Sequence, residues 1–287
     1  MNYSRLLEGK YAVITYGDNA IGAAVTELFA RHGAVVAFGA QDACAADKLL
    51  AIIERGSPGS YYLPCDLSDA ESVELFCAEI NKRQPIVDIL VNNPWIEFEK
   101  AFENTSDDDA DLLLQVYQRS IMQTLRAFWP AMLKAGHCSV INISSYTAIK
   151  AVQGSLMLTI ANGAVGGMTR VPAVEGGYRE VRVNEILTGF IENRSDSTGD
   201  NKTPGGDCTG VYTGDKPTAC GSARGNRGDT PTDGSLGNFF SQSSTDINGV
   251  DVACVANAAL FLAGDMASYI SGVSLSVSGG RRRMRLP

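Results

Sequence analysis

The chain has 287 residues, of which 45% are hydrophobic and 20% are charged, and its formal net charge is -8 at pH 7. This length allows a substantial core, and this composition is typical of a globular protein. The excess of acidic residues argues against nucleic acids and anionic membranes as partners.

The cysteines and the N-terminus bear on the compartment. Seven cysteines are scattered without a C-x-x-C pair, which favours reduced thiols. Cys208 and Cys220 share a loop and could pair or bind a metal, but no histidine lies near them, and we predict no metal site. The N-terminus lacks the apolar core of a signal peptide, and no run of about eighteen apolar residues occurs. We therefore expect a cytoplasmic protein without a membrane partner.

Short β-branched runs alternate with amphipathic stretches over the first two thirds of the chain. Predicted strands cover residues 11–15, 34–38, 89–91 and 139–143, and predicted helices cover 20–32, 45–55, 70–82 and 109–134. A further helix at 252–263 and a strand at 273–277 follow near the C-terminus. This alternation predicts an α/β fold, a doubly wound parallel sheet of the Rossmann type.

The alternation stops between residues 194 and 247. This stretch is rich in Gly, Ser, Thr, Asp and Asn, a composition that disfavours long helices and strands. A long irregular stretch within a compact domain is often a functional lid. We predict a single domain, with a core formed by 1–193 and 248–287 and a substrate lid formed by 194–247.

A turn that could approach a pyrophosphate follows the first predicted strand. Residues 15–22 read T-Y-G-D-N-A-I-G, and a nucleotide-binding fold needs a tight glycine turn at this place, before a helix N-terminus. The stretch resembles the pattern T-G-x-x-x-G-I-G, but Tyr16 and Ala20 replace two of its glycines. We expect Gly17 to take over the turn by a shift of one residue.

Further segments match those of one family in the same order. Residues 65–67 (C-D-L) match an adenine-contacting aspartate, and residues 90–95 (L-V-N-N-P-W) match a strand end that reads N-N-A-G. Two later motifs of the same family are also matched, the first by residues 182–184 with 188–193 and the second by residues 263–265 with 278–280. Outside 194–247 the chain therefore resembles the short-chain dehydrogenase/reductase family.

The resemblance implies a nicotinamide cofactor and an oligomer. Members of the family assemble through the helices beside the active site, so we expect a homodimer or homotetramer. The residues implied to bind the cofactor are Thr15, Gly17, Asn19, Ala20, Ile21, Gly22, Gln41, Asp66, Leu67, Asn93, Pro94, Asn162, Ile191 and Asn193.

The end of the second predicted strand bears on which nicotinamide cofactor binds. An acidic residue there would hold the ribose 2′-hydroxyl of NAD, and a basic residue would favour a 2′-phosphate. Gly39 and Ala40 occupy this place, followed by Gln41 and Asp42. Because no carboxylate stands at the usual position, we expect NADPH, although NADH stays open.

The catalytic residues that the resemblance implies are mostly replaced. Ser145 matches the serine that orients the substrate, but Leu158 and Asn162 stand where the family has its tyrosine and lysine, and Tyr117 stands where it has an asparagine. Tyr117 could be a packed helix residue, or its phenol could compensate for the lost one. The candidate catalytic residues are Ser145, Tyr117, Asn162 and, from the predicted lid, Tyr212.

This pattern suggests a change of reaction. Ketone reduction needs a proton on the carbonyl oxygen, whereas a para-hydroxybenzyl alcohol can expel its hydroxyl group through a quinone methide and demands less of the acid. We therefore predict an NADPH-dependent reductase that removes a benzylic hydroxyl from a small aromatic substrate. A non-redox isomerase or cyclase and an inactive cofactor-binding paralogue stay open. A halohydrin dehalogenase is disfavoured because it keeps the tyrosine and has arginine in place of the lysine.

Overall fold

The structure is a computed structural model that describes residues 5–150, 152–189 and 250–279. Its strands are β1 (Tyr11–Ile14), β2 (Val35–Ala40), β3 (Tyr61–Pro64), β4 (Ile89–Asn92), β5 (Ser139–Ser145), β6 (Arg182–Thr188) and β7 (Ser274–Val277). Its longer helices are α1 (Ala20–Arg31), α2 (Ala43–Ile53), α3 (Ala70–Arg83), α4 (Asp107–Leu114), α5 (Ser120–Ala135), α6 (Leu156–Gly177) and α7 (Val252–Ala263).

The seven strands form one parallel sheet in the order β3-β2-β1-β4-β5-β6-β7. The order reverses between β1 and β4, which are neighbours in the sheet although two strands separate them in the chain. Ligands of such sheets bind outside the carboxyl ends of the strands at this reversal. The predicted doubly wound α/β fold is confirmed, and the fold places the candidate site beside β1 and β4.

Two hydrophobic cores lie on opposite faces of the sheet. In β1, Ala12 and Ile14 pack into one core, whereas Tyr11 and Val13 pack into the other. The first core includes side chains of α1 and α7, and the second includes side chains of α3 and α5. Alternate residues of a strand point to opposite faces, so a strand covered on both faces is apolar throughout.

The described elements differ from the prediction in one helix that is divided and in three elements that the prediction lacks. The helix predicted over 109–134 is instead α4 and α5, joined by a π-helical turn at Gln115–Arg119. The elements β3, α6 and β6 were not predicted as such. Gly163, Gly166 and Pro172 lie within α6, and such residues weaken the helical signal of a sequence. The predicted lid lies outside the described residues.

Across residues 5–150, 152–189 and 250–279, none of the helices combines the length and the apolar character that a membrane span requires.

Candidate functional site

Asn93 ties together the chain segments that leave β1 and β4. Its backbone N–H donates to Thr15 Oγ1 at 2.9 Å. Its side-chain Nδ2 donates to the Tyr16 carbonyl at 3.1 Å and to Asn19 Oδ1 at 3.0 Å. The two buried side chains, Thr15 and Asn93, therefore fix the turn after β1 against the end of β4.

The turn after β1 corrects the expectation for Gly17. Tyr16 itself has a positive φ of 51°, and Gly17 is not among the positive-φ residues. The turn therefore remains at the first glycine position of the pattern, held there by the hydrogen bond from Asn93 to the Tyr16 carbonyl. Gly17 serves a close approach instead: its N–H donates to the Gly39 carbonyl at 2.7 Å, and a Cβ on it would lie 2.6 Å from Phe38 Cβ.

The helix α1 begins directly after this turn, so its N-terminus lies at the crevice outside the carboxyl ends of β1 and β4. Asn19 is the N-cap, and its Oδ1 accepts from the Gly22 N–H at 2.8 Å. Ala20 is exposed and Ile21 is buried in the first turn. A Cβ on Gly22 would lie 2.2 Å from the Tyr16 carbonyl oxygen. Only glycine permits this packing, which is the role of the last glycine in a dinucleotide-binding turn.

Two carboxylates line the crevice near the end of β2. Asp66 Oδ1 accepts from Gln41 Nε2 at 2.8 Å and from the Ser68 N–H at 2.9 Å. Asp18 Oδ2 accepts from the backbone N–H groups of Gln41 and Asp42, both at 2.8 Å. The sequence prediction omitted Asp18 because its partners are backbone groups more than twenty residues away.

The Tyr16 side chain lies close to these carboxylates. Burial, and after it the charges of Asp18 and Asp66, raise the pKa of Tyr16 to about 12. Burial likewise raises the pKa of Asp18, against the hydrogen bonds from the backbone of Asp42 and Gln41, which lower it. The phenol is therefore neutral at neutral pH, and the Asp18 charge is held in a partly desolvated position.

The residues of this crevice fit a dinucleotide. Asp18 Oδ1 and Asn93 Oδ1 are buried and accept no hydrogen bond from another residue, so each could accept from a bound hydroxyl or amide group. Leu67 and Pro94 add buried apolar surface beside Asp66 and Asn93. The predicted cofactor residues Ile191 and Asn193 lie outside the described residues.

Ser145 and Asn162 are joined directly. Ser145 ends β5, and its backbone N–H donates to Asn162 Oδ1 at 2.8 Å. The other end of this amide, Asn162 Nδ2, donates to the Leu158 carbonyl at 2.8 Å. Asn162 is 1% exposed, so its amide bridges β5 and α6. Leu158 is partly buried against the core that includes α3 and α5.

Tyr117 lies within the π-helical turn and contacts the same amide. π-Helical turns are rare and are frequent at functional sites. The Tyr117 side chain is 4% exposed. Burial raises the pKa of Tyr117 to about 12, while hydrogen bonds from the Ile96 backbone and the Asn162 side chain lower it. The structure thus brings together Tyr117, Asn162 and Ser145, whereas Tyr212 lies outside the described residues.

A row of polar residues crosses the sheet beneath this cluster and was not predicted. Asn92, Asn142, Glu185 and Ser274 are paired in register across β4, β5, β6 and β7. Asn92 Nδ2 donates to Asn142 Oδ1 at 2.8 Å, and Ser274 Oγ donates to Glu185 Oε2.

The row is also bonded to the end of β5. The buried carboxylate of Glu185 accepts from Ser144 Oγ at 2.7 Å, directly before Ser145. Buried polar groups that are fully hydrogen-bonded make a local structure rigid. The row therefore fixes the segment that carries Ser145. The available sequence signal was the two asparagines, Asn92 at the end of β4 and Asn142 in the middle of β5.

Within residues 5–150, 152–189 and 250–279, no three His, Cys, Asp or Glu side chains converge as metal ligands.

Comparisons with known proteins show which chains this one is similar to in sequence. Residues 16–205 match a protein family described as enoyl-(acyl carrier protein) reductase. A 3-oxoacyl-(acyl-carrier-protein) reductase from Thermotoga maritima is 27% identical, over 96% of this chain and 98% of that protein. The 2,5-dichloro-2,5-cyclohexadiene-1,4-diol dehydrogenase of Sphingobium indicum is 30% identical, over 96% of each.

Solved structures share the fold over nearly the whole chain. A short-chain dehydrogenase/reductase from Serratia marcescens superposes with a TM-score of 0.76 at 23% identity, covering 96% of this chain and 98% of that one. Another structure, described as a short chain dehydrogenase/reductase family protein, gives 0.71 at 26% identity, with the same coverage.

Proposed function

The chain belongs to the short-chain dehydrogenase/reductase family of oxidoreductases, and from this premise we propose that it is a reductase that removes a benzylic hydroxyl group from a small aromatic substrate. Members of this family use NAD(P)H, and the crevice beside β1 and β4 fits such a cofactor. The proposal concerns what the site can do once the cofactor is bound.

The observation that carries the proposal is the hydrogen bonding of Asn162. This residue stands where the family resemblance expects a lysine, and Leu158 stands where it expects a tyrosine. The Asn162 amide is engaged with Ser145, Leu158 and Tyr117 inside the protein, and an amide cannot transfer a proton at neutral pH. These positions therefore favour a substrate that needs little acid catalysis from them.

Benzylic dehydroxylation meets this requirement. A phenol in the para position that loses its proton can push out the benzylic hydroxyl, which leaves as water after taking up one proton. The carbon that remains is electrophilic. A bound nicotinamide cofactor supplies the hydride that this carbon needs.

The residues beside Asn162 have definite roles in this scheme. Tyr117 interacts with the Ile96 backbone and the Asn162 side chain, and its neutral phenol is the group that we propose as donor of the proton to the departing hydroxyl. Ser145 Oγ, at the end of β5, orients the oxygen of the substrate. Leu158 offers an apolar side chain, which helps to keep water from the electrophilic carbon.

The substrate that we propose is an isoflavan-4-ol. The replaced catalytic residues, the Gly-rich stretch at 194–247 and the chain length together resemble tetrahydrodaidzein reductase, which forms (S)-equol from tetrahydrodaidzein in isoflavone metabolism. One relative is a dehydrogenase of a chlorinated cyclohexadiene diol, whose ring carries hydroxyl groups next to double bonds. A ring-borne, activated alcohol is therefore a chemistry that a similar chain accepts.

The test is a parallel assay of reductant oxidation by the full chain with isoflavan-4-ols, simple ketones and enones. We expect turnover of the isoflavan-4-ol, with deuterium from 4-deuterated NADH or NADPH found on the product carbon. Turnover of simple ketones at rates typical of the family would overturn the proposal, as would the absence of cofactor deuterium from the product.

Two other functions use the same site differently. A non-redox isomerase or cyclase would convert its substrate without consuming the reductant. An inactive paralogue would bind the cofactor weakly and turn over none of these substrates. The cytoplasmic location, the homodimer or homotetramer and the role of Tyr212 stay predictions from the sequence.

A further inference from the structure

We propose that the Asp18 carboxylate makes this chain select NADH over NADPH. The inference rests on the proposed function, because it concerns the reductant of the same site. It replaces the expectation of NADPH, whose premise was that no carboxylate stands at the end of β2. A carboxylate does stand there, but the turn after β1 supplies it.

The position of Asp18 follows from its hydrogen bonds. In dinucleotide-binding folds, the group that distinguishes the two cofactors, a ribose 2′-hydroxyl or 2′-phosphate, lies against the end of β2. In this chain β2 ends at Ala40, and Asp18 Oδ2 lies 2.8 Å from the backbone nitrogens of both Gln41 and Asp42. The Asp18 carboxylate therefore lies directly beside the region of the 2′ group.

These hydrogen bonds remove the donors that a phosphate would need. Consecutive backbone N–H groups in a turn form an anion site, and the Gln41 and Asp42 N–H groups both point to Asp18 Oδ2. The next N–H groups, those of Cys44 and Ala45 at the start of α2, are bonded to the Asp42 side chain. The N–H groups that could bind a phosphate at this place are therefore already bonded to the carboxylates of Asp18 and Asp42.

Charge acts in the same direction. Asp66, whose Oδ1 is bonded to Gln41 Nε2, adds a further carboxylate beside the same loop. In the described part of the chain, neither Asp18 nor Asp66 forms an ion pair with a lysine or arginine. A 2′-phosphate would bring additional negative charge to this place, and like charges in contact weaken binding strongly.

A hydroxyl group suits the same place. Asp18 Oδ1 is buried and accepts no hydrogen bond from another residue. Such an oxygen gains a partner when a hydroxyl donates to it. The ribose of NADH offers a hydroxyl where NADPH carries its phosphate, so NADH satisfies the carboxylate and NADPH does not.

The experiment is a calorimetric titration of the full chain with NADH and with NADPH, without substrate and at one ionic strength. We expect NADH to bind at least about tenfold more tightly, a difference of about 1.4 kcal/mol. Equal affinities, or tighter binding of NADPH, would overturn the inference while leaving the proposed reaction untouched. If neither dinucleotide bound, the inference and the proposed function would both fail.

Two variants identify the residue responsible. In Asp18→Asn the amide oxygen can keep the hydrogen bonds from Gln41 and Asp42 without the charge, so we expect the NADH to NADPH affinity ratio to fall about tenfold. The control is Glu54→Gln, which removes one negative charge at the other end of α2 and should leave the ratio unchanged. An unchanged ratio in Asp18→Asn would overturn the assignment, and if that variant does not fold, Asp18→Ser, which also removes the charge, is measured in its place with the same two expected outcomes.

Discussion

At position 16 a tyrosine holds a backbone conformation that glycine adopts without strain. Its φ of 51° lies in the left-handed region, where a Cβ costs about 1–2 kcal/mol. Two contacts compensate for this cost: the hydrogen bond that the Tyr16 carbonyl accepts from Asn93, and the packing of the ring against the second core.

A pair of substitutions separates the backbone cost from the loss of the ring. Tyr16→Gly and Tyr16→Ala both remove the phenol, but only the alanine retains the Cβ. We expect the alanine variant to be less stable than the glycine variant by about 1 kcal/mol, measured as the free energy of unfolding in urea. At positions with an ordinary φ, an alanine variant is more stable than a glycine variant. If Tyr16→Ala were more stable than Tyr16→Gly, the backbone at position 16 would not be strained.

Tyr117 allows a second prediction about a single side chain. Tyr117→Phe removes the hydroxyl that interacts with Ile96 and Asn162. If this hydroxyl donates the proton to the departing group, we expect the rate of dehydroxylation to fall about 10²–10⁴-fold, while the affinity for the cofactor stays within a factor of two or so. The control is Tyr178→Phe, which alters an exposed tyrosine at the end of α6. Equal rates of dehydroxylation in Tyr117→Phe and Tyr178→Phe would show that Tyr117 only packs in the core and donates no proton.

The pKa of Tyr117 adds a dependence on pH. Burial raises this pKa from 10.0 to about 12, so the phenol stays protonated through the neutral and mildly alkaline range. Because the folded value lies above the unfolded one, the stabilisation is complete below pH 10 and is lost as the pH rises toward 12. Stability measured from pH 9 to 12 should therefore decline less steeply in Tyr117→Phe than in the wild type.

Among the elements, α6 shows why a sequence can identify a site and yet miss the helix that builds it. The glycines and the proline of α6 reduce its helix propensity, and its stability comes from packing on the sheet. Gly176 illustrates this packing, because a Cβ on it would lie 2.9 Å from Trp129 and from the Val181 carbonyl oxygen.

Adjacent glycines in α6 give a matched test. We expect Gly176→Ala to lower the free energy of unfolding by about 1–3 kcal/mol, since it forces atoms into a packed space. Gly177→Ala meets nothing within 4 Å and should raise stability by up to about 1 kcal/mol through helix propensity. Thermal unfolding of both variants checks the prediction, and similar shifts of the same sign would show that the packing around Gly176 is loose.

The strands around the reversal of the sheet could be predicted because local signals agree there. The strands β1 and β4 are short runs of mainly apolar residues, and polar residues typical of turns follow each strand. Ser145 and Asn162 were identified because the family resemblance places its serine and its lysine at these positions, and the structure joins the two residues by one hydrogen bond. Asp18 could not be identified as a discriminating residue, because its hydrogen bonds are to the backbone of a loop that only the folded sheet brings near. The polar row from Asn92 to Ser274 likewise depends on strand register.

For the whole molecule, the outer surface of α5 and α6 presents apolar side chains to solvent. Met122, Val171 and Val174 are exposed there, and a shallow groove between the helices is lined by Met122, Leu125, Arg126, Gly167, Met168, Val171 and Pro172. A contiguous exposed apolar surface of this kind is typical of protein–protein contacts. This helix pair is therefore the surface through which we expect the chain to associate with copies of itself.

A charge placed on this surface should dissociate the oligomer. We expect the wild type to sediment as a dimer or tetramer, and Val171→Glu to shift the distribution toward the monomer, because a carboxylate buried without a partner opposes association. The matched control is Ile52→Glu on α2: Ile52 is 59% exposed and Val171 is 58% exposed, but Ile52 lies on another surface. Sedimentation velocity at several concentrations decides the matter. A monomeric wild type, or equal dissociation by both substitutions, would show that α5 and α6 do not form the contact, and the exposed valines would then need another partner.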